Sequence, residues 1–391
     1  MVEDQVRDVI VVGAGPAGAT TATILAQKGY DVLLLDRRSF PRDKTCGDGI
    51  PAGVFRRLYR LGMRDKFEAA LARGEMYPIT GMRLVSPKGH VIEAEFDIED
   101  GFLSHVSPRV HFDAIVEEYA IESGAEFQAG VVKGPLLEDG RVAGVQAQLN
   151  GKVESIRSKM VVGADGVTSV VTRALRPKEE QHLDQHRAIA LRAYVTDVDI
   201  HPGDVEFFLY NEVLPGYAWI FPTGENEANI GLGMRLDIFR AHHGDLNVML
   251  QDFLALPQIK KRLHEDTRIE AIRTWQLNFG SQKNLQYSFD GALLVGDAAG
   301  LINPVTGGGI HNALISAELA AETIDEALQV GDTSREQLKV YEQRIHDEMW
   351  SGMQRSYFFQ RLLIRFPSLV DALVKRAQTN RAIVQIFLDK L

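Results

Sequence analysis

Three turns in this chain pair glycines with an acid, a combination suited to holding a charged, hydroxyl-bearing ligand against backbone. The first is Gly13-x-Gly15-x-x-Gly18. Gly13 makes the tight turn, Gly15 lets a pyrophosphate approach the main chain, and Gly18 lets the next helix pack closely. Asp36 stands roughly 20 residues further on, where an adenosine ribose needs an acceptor for its hydroxyls. The second turn is Gly163-Ala-Asp165-Gly166, and the third is Gly296-Asp297, followed by Pro304 and Gly307-Gly-Gly309. The first turn implies dinucleotide binding; a glycine-rich turn with no ligand is the alternative. Two further groups carry reactive or recognition chemistry. Cys46, the single cysteine, follows Arg42 and Lys44 in a polar glycine-rich loop, so it is either a packed small hydrophobe or an accessible thiol beside cations. Tyr217, Trp219 and Phe221 alternate along one predicted strand, so all three share a face. That face is either a wall for an apolar ligand or ordinary sheet core.

The elements that must position these residues follow from hydrophobic pattern. Val9–Val12 reads as a buried parallel strand, Pro16–Lys28 as the helix whose N-terminus offers free N–H groups and a positive dipole end to phosphates, and Asp31–Leu35 as the second strand. A helix is predicted from Pro51 to about Leu61, a hairpin over 82–96 around Pro87-Lys-Gly89, and a helix from Ser107 to about Ser123. Ala125–Val132, Val142–Leu149 and Val153–Ile156 read as strands, with turns at Asp139-Gly140 and Asn150-Gly151. Met160–Gly163 reads as a separate buried strand. Residues 188–195, 204–210, 217–221 and 227–234 form a second sheet of antiparallel character, followed by a helix at 246–256 and a strand at 268–277. A long helix over 308–329 and a helical tail from Ser334 complete the chain.

Composition bounds the class. The 391 residues are 45% hydrophobic without low-complexity tracts, which is globular composition. At this length two domains, or one with an insertion, are expected. A net charge of −10 argues against general nucleic-acid binding. One cysteine allows no internal disulfide or cysteine-cluster metal site, and no histidine pair has metal-ligand spacing, so no metal is expected. Reducing, cytoplasmic surroundings fit. Glu3 and Asp4 do not resemble a signal peptide, and no apolar run approaches the ~20 residues of a membrane-spanning helix.

Taken in this order, over about residues 7–330, the three turns resemble the flavoprotein superfamily of aromatic hydroxylases and geranylgeranyl reductases. The resemblance implies an α/β fold: a Rossmann-like FAD-binding domain of the p-hydroxybenzoate hydroxylase type, with an inserted antiparallel β-sheet substrate domain and C-terminal helices. The expected division is 1–80, 101–180 and 278–333 for FAD, 81–100 and 181–277 for substrate, and 334–391 for the tail. Non-covalent FAD would lie against Gly13, Gly15, Ala17, Gly18, Asp36, Arg37, Cys46, Gly47, Arg109, Asp165, Gly296, Asp297, Gly307, Gly308, Gly309 and Ile310. Asp297 matches the family position that binds the flavin ribitol, and Arg109 the arginine near the FAD. The helix N-terminus at Gly307–Ile310 would stabilise the negative charge of reduced flavin.

Within the superfamily, departures decide the branch. Aromatic hydroxylases read Gly-Asp-Ala-Ala-His, and this chain has Gly300 in the histidine's place. They carry an arginine three residues after the middle-motif serine; here Thr172 holds that place and Arg173 follows it. Phe40–Gly49 and the stretch Pro215-Gly-Tyr217-Ala-Trp219-Ile-Phe221-Pro222, with Asn229-Ile-Gly231-Leu-Gly233 after it, resemble prenyl-chain reductases, including menaquinone reductases. The implied activity is saturation of carbon–carbon double bonds in a polyprenyl lipid or quinone, with Tyr217, Trp219, Phe221 and Pro222 against the chain and Cys46, Tyr217 and Trp219 as catalytic candidates. No second nucleotide-binding motif is visible, so NADPH or reduced ferredoxin would dock transiently as electron donor. A flavin monooxygenase or halogenase, and a flavin-bearing binding protein without turnover, are the alternatives. Asp237 reads as an ordinary surface acid. Residues 351–391 carry seven Lys/Arg against Asp371 and Asp389, interleaved with Phe358, Phe359, Leu362 and other apolar residues. Such helices suit peripheral contact with the inner face of a membrane or cover the flavin domain.

Overall fold

A computed structural model of the chain describes residues 6–96, 101–178 and 181–380. Glu3 and Asp4, and Arg381, Asp389 and Lys390 of the tail, lie outside the described residues.

The apolar run Val9–Val12 is at most 3% exposed, as a parallel strand covered on both faces must be. It is the centre of the larger sheet. In spatial order its spine runs Ser288–Phe289, Ala292–Leu294, Lys152–Gly163, Arg7–Val12, Val32–Asp36 and Glu126–Ala129. The five strands from Ala292–Leu294 to Glu126–Ala129 pair in parallel. Helix Pro16–Gln27 follows the central strand and packs against helices Arg109–Glu122 and Ile310–Val330. Thr20, Thr21 and Thr23 are fully buried in that contact; Thr21 and Thr23 each return their hydroxyl to the carbonyl four residues back, at 2.9 and 2.8 Å, while the buried Thr20 hydroxyl has no protein partner among the described residues.

Two strand boundaries differ from the pattern-based reading. The run 125–132 is broken at Gly130, whose amide donates to the Asp36 carbonyl at 2.7 Å. Residues Glu126–Ala129 join the parallel spine, and Val131–Glu138 turns away to pair antiparallel with Arg141–Leu149. Gly134 and Pro135 hid this strand, because both read as breakers. The segments 153–156 and 160–163 are one strand, Lys152–Gly163. Its outer half pairs antiparallel with Arg141–Leu149, and its inner half pairs in parallel with Arg7–Val12. The polar interruption at Arg157 and Lys159 marks where the strand passes from solvent-facing hairpin to buried spine.

The second sheet has seven strands in the order Leu263–Asn278, Arg187–Val198, Glu227–Arg235, Tyr217–Pro222, Asp204–Phe208, Gly81–Val85 and Val91–Glu95. It is antiparallel except at one step, where Asp204–Phe208 runs parallel to Gly81–Val85, a strand supplied from far upstream by the predicted hairpin. One face covers the apolar side of helix Leu246–Ala255. The other carries Phe207, Trp219 and Phe221, and the last two described helices, Ser351–Arg365 and Ser368–Ala377, pack there through Leu363, Val370, Val374 and Ala377. Asp371 fixes the final helix by accepting from the Ser86 hydroxyl at 2.7 Å and the Lys88 amide at 2.9 Å.

Candidate active site

Between the two sheets lies a cleft of ≈ 420 Å³, within the size range of small-molecule sites. Its first wall is the turn after the central strand. Gly13 has φ +101°, and a Cβ there would press into the Ala164 carbonyl. A Cβ at Gly18 would collide with the Gly13 carbonyl. These two glycines are therefore consumed by packing, and Gly18 does not line the cleft. Gly15 does, with only the Arg42 guanidinium near its open side. Helix Pro16–Gln27 starts there without a side-chain cap, leaving its first N–H groups for a ligand. Asp36 receives the Ala14 amide at 2.9 Å and the Arg38 amide at 3.0 Å. Arg42 reaches Asp36 at 3.7 Å and Asp113 at 3.2 Å.

Arg109 sits beneath this edge, 3% exposed, forked onto Asp113 through 2.5 and 2.7 Å bonds. Burial works against its charge, yet the Asp113 carboxylate and contact with the Cys46 side chain hold the guanidinium well above its ordinary value. Cys46 is half-buried, lines the cleft and faces this cation, so it is not a sealed packing residue. Asp165 lines the cleft, with its carboxylate already accepting from the Ser169 hydroxyl and, at 2.7 Å, the Val170 amide. It thereby braces Ser169, the N-cap of the short helix Val170–Leu175, and burial raises its pKa.

The far wall is the third glycine–acid turn. Gly296 packs against Ala17 and Ala313 and does not face the cleft. Asp297 does: its Oδ2 lies 3.8 Å from Lys44 Nζ, and its Oδ1 stands where a Cβ at Gly309 would come within 3.0 Å. Helix Ile310–Val330 begins beside it, again without a side-chain cap. Gly307, Gly309 and Ile310 line the cleft; Gly308 does not. Tyr217 donates its hydroxyl to the Thr306 carbonyl of this loop. Burial, with Cys46 nearby, pushes that phenol well above its ordinary value, so Tyr217 keeps its proton and spends it on Thr306.

Tyr217, Trp219 and Phe221 all face the cleft, and Trp219 and Phe221 are also 7% and 8% exposed members of the core around Phe207. The row is at once a wall of the cleft and part of the core. Pro222 departs from the expectation. Strand alternation sends it with Ala218 and Ile220 to the opposite face, and it does not line the cleft. Asp237 is not free surface either; it chelates Arg235 at 2.6 and 2.5 Å, and Arg235 lines the cleft.

Several site residues emerge only from the fold. Asp48 is fully buried and accepts from the Tyr194 hydroxyl at 2.6 Å and the Asn229 amide at 2.7 Å. Asn229 also donates to the Cys46 carbonyl at 2.9 Å and accepts from Trp219 Nε1 at 2.8 Å. This latch ties the Cys46–Gly47 loop to the aromatic strand. The chain shows Asp48 and Asn229 inside the noted motifs, but their contact bridges 181 positions, beyond any local pattern. His182 fills the space beside Gly300: a Cβ on Gly300 would strike its ring. The imidazole absent at position 300 is thus replaced in space by one from another segment. From the tail, Gln360 reaches the cleft, donating to the Pro304 carbonyl at 2.7 Å and leaving its own buried Oε1 without a partner.

Two uncapped helix ends, an exposed glycine backbone at each, a carboxylate beside each and an orphaned buried acceptor fit an extended dinucleotide such as FAD. The sequence profile of the FAD binding domain family matches residues 7–356. The chain belongs to this family. Curated relatives carry it to the geranylgeranyl reductase branch. It is 32% identical to the digeranylgeranylglycerophospholipid reductase of Methanosarcina acetivorans over 386 residues, covering 94% of this chain and 88% of the relative. It is 34% identical to digeranylgeranylglycerophospholipid reductase 1 of Methanopyrus kandleri over 349 residues, covering 87% and 86%. Among solved structures, the geranylgeranyl bacteriochlorophyll reductase-like protein of Thermoplasma acidophilum superposes with a TM-score of 0.85 at 26% identity, covering 99% of this chain and 96% of that one. The myxobacterial chondrochloren halogenase shares the fold, with a TM-score of 0.75 at 23% identity over 90% and 81%. This geranylgeranyl reductase family member is an FAD-dependent oxidoreductase.

Proposed function

We propose that the enzyme saturates carbon–carbon double bonds in the polyprenyl chain of a lipid or quinone, drawing electrons from NADPH or reduced ferredoxin. One observation carries the reading: the aromatic row Tyr217, Trp219 and Phe221 faces the same cleft as Gly15, Asp297 and the two open helix ends. FAD, when bound, supplies the two-electron reducing equivalent. In this reading Gly13, Gly15, Ala17, Asp36, Arg37 and Arg109 hold its adenosine and pyrophosphate, and Asp297 with Gly307, Gly309 and Ile310 holds its ribitol and ring end. The aromatic row excludes water and holds an alkene still, which matters because an isolated alkene accepts reducing equivalents poorly unless tightly placed. Cys46, beside Arg109, is the group proposed to exchange a proton with substrate. Tyr217, committed to Thr306, fixes the loop before helix Ile310–Val330.

The test is mass spectrometry of a prenyl glycerophospholipid incubated with FAD-loaded enzyme and reductant. A gain of two hydrogens per double bond is expected; oxygen incorporation or halogenation instead would sink the reading. Trp219→Phe is the informative variant, because Trp219→Ala would open a core cavity costing about 3–5 kcal/mol. Trp219→Phe keeps the ring and loses the bond to Asn229, and turnover is expected to fall about tenfold with FAD content unchanged. Parallel loss of FAD would show that the row is scaffold alone.

Membrane contact is also proposed. Helix Ser351–Arg365 buries Met353, Ser356, Gln360 and Leu363 and turns Arg355, Phe358, Arg361 and Arg365 outward, with Phe366 after it. Phe358 is 70% exposed, a large apolar side chain among cations, as an interfacial helix presents. No helix among the described residues is long and apolar enough to cross a membrane. Sedimentation with anionic liposomes at low salt is expected, with release at high salt and weaker binding by Phe358→Ser. Equal recovery in the supernatant under all conditions would refute the contact.

A further inference from the structure

A second cavity, ≈ 510 Å³, adjoins the first and shares Thr168 and Trp275 with it. Its lining is one-sided in charge. Arg173, Arg176 and Arg187 contribute to it, and among the described lining residues there is no Asp or Glu. Arg176 is 4% exposed and bonded to the Gln286 carbonyl at 2.8 Å and the Ala299 carbonyl at 3.3 Å. Arg187 approaches Asp184 at 3.4 Å and also donates to the Gln276 side-chain oxygen on the same wall. Arg173 is exposed at the end of helix Val170–Leu175 and makes no ion pair among the described residues. His182 is held neutral: burial, then Arg176, pushes its pKa down to about 3, and the remaining charges acting on it, His186 and Arg187, have the same sign. Two buried polar atoms on the wall, the Trp275 Nε1–H donor and the Asn278 Oδ1 acceptor, have no partner.

A cavity that gathers guanidinium groups and strands a buried donor is incomplete without an anion that accepts hydrogen bonds. Guanidinium forks match tetrahedral oxyanions, phosphate above all. The orphaned Asn278 oxygen needs a donor, which an ester's neighbouring hydroxyl supplies. We propose that this cavity is a binding subsite for the phosphate of an organic phosphate ester, held by Arg173 and Arg187 with the Trp275 indole N–H donating to a phosphate oxygen. Two sources share that chemistry. The phosphate head of a glycerophospholipid could enter with its chain in the aromatic cleft, or a phosphorylated nucleotide reductant could dock from outside. The subsite does not depend on the double-bond reductase reading, because its test is binding and not turnover.

The experiment uses the full chain loaded with FAD, so that the pyrophosphate site is filled, and inorganic phosphate as probe, followed by phosphorus-31 line broadening. Wild type is expected to broaden the signal saturably. Arg173→Ala is expected to raise the dissociation constant at least tenfold and Trp275→Phe several-fold, while Arg64→Ala, a remote exposed arginine, leaves it unchanged. FAD content and melting temperature report folding, and Arg173→Lys, which keeps the charge, is expected to recover part of the binding. Displacement of phosphate by glycerol 1-phosphate assigns the subsite to a lipid head; displacement by NADPH assigns it to the reductant. If no saturable broadening occurs, if Arg173→Ala binds as wild type does, or if neither ester displaces the probe so that it is an adventitious ion only, the proposal is overturned.

Discussion

Alanine in place of Asp297 is expected to weaken FAD binding by one to two orders of magnitude while leaving the apoprotein folded. The carboxylate is 19% exposed on the cleft wall, and its only ion pair among the described residues is the 3.8 Å approach of Lys44. That separation is too long for a direct hydrogen bond, so the folded protein loses little when the side chain goes. A bound ribitol loses more. A hydrogen bond to a charged acceptor contributes about 1.5–3 kcal/mol, and each 1.4 kcal/mol is roughly tenfold in affinity. The measurement is FAD fluorescence titration of the apoprotein, with melting temperature alongside. Glu265→Ala is the proper control, because Glu265 is exposed in the second sheet; Asp237 is unsuitable, being locked to the cleft residue Arg235. Equal affinity in wild type and Asp297→Ala would remove the ribitol assignment.

Asp48→Ala is expected to destabilise the fold by about 2–5 kcal/mol, and Asp48→Asn by far less. Asp48 has φ +63°, a conformation that costs most non-glycine residues about 1–2 kcal/mol but that Asn adopts readily. Alanine would also leave the buried Tyr194 hydroxyl without its acceptor, at about 1–3 kcal/mol, and would remove one of the two bonds that tie Asn229 to the Cys46 loop. Asparagine retains a carbonyl oxygen for both donors. The two variants also separate in pH dependence. Burial raises the Asp48 pKa to about 6, against the opposing bonds from Tyr194 and Asn229 and the charges of Arg192 and Arg109. An acid whose folded pKa lies above its unfolded value of 3.8 favours the fold when protonated. Its stabilising contribution is complete below about pH 4 and is lost as pH rises through about 6, a change on the order of 3 kcal/mol. Urea denaturation at pH 4.5 and pH 7 should therefore show Asp48→Asn gaining on wild type at the higher pH. A difference that stays constant across that interval would mean that Asp48 does not titrate in the fold as stated.

Much of the architecture was legible along the chain because it rests on local rules. The strand–turn–helix from Arg7 to Gln27 follows from an apolar run, three glycines and a helical pattern, none of which needs a distant partner. The hairpin around Pro87–Gly89, the long helix after Gly309 and the common face of Tyr217, Trp219 and Phe221 follow from period and turn chemistry in the same way. The three glycine–acid turns marked both ends of the cleft. What a one-dimensional pattern could not decide was which side chains meet. Gly15 is open and Gly18 is closed because helix and strand press together at one and part at the other. Pro222 sits in the aromatic motif yet faces away, since strand alternation overrides membership of a motif. Arg157 and Lys159 look like a break in a strand, but the strand continues through them from hairpin to spine. The Asp48–Tyr194–Asn229–Trp219 latch, the His182 ring beside Gly300 and the arginine-lined second cavity join segments far apart in sequence. Their energies come from burial and hydrogen-bond satisfaction, and those exist only once the sheets have closed on one another.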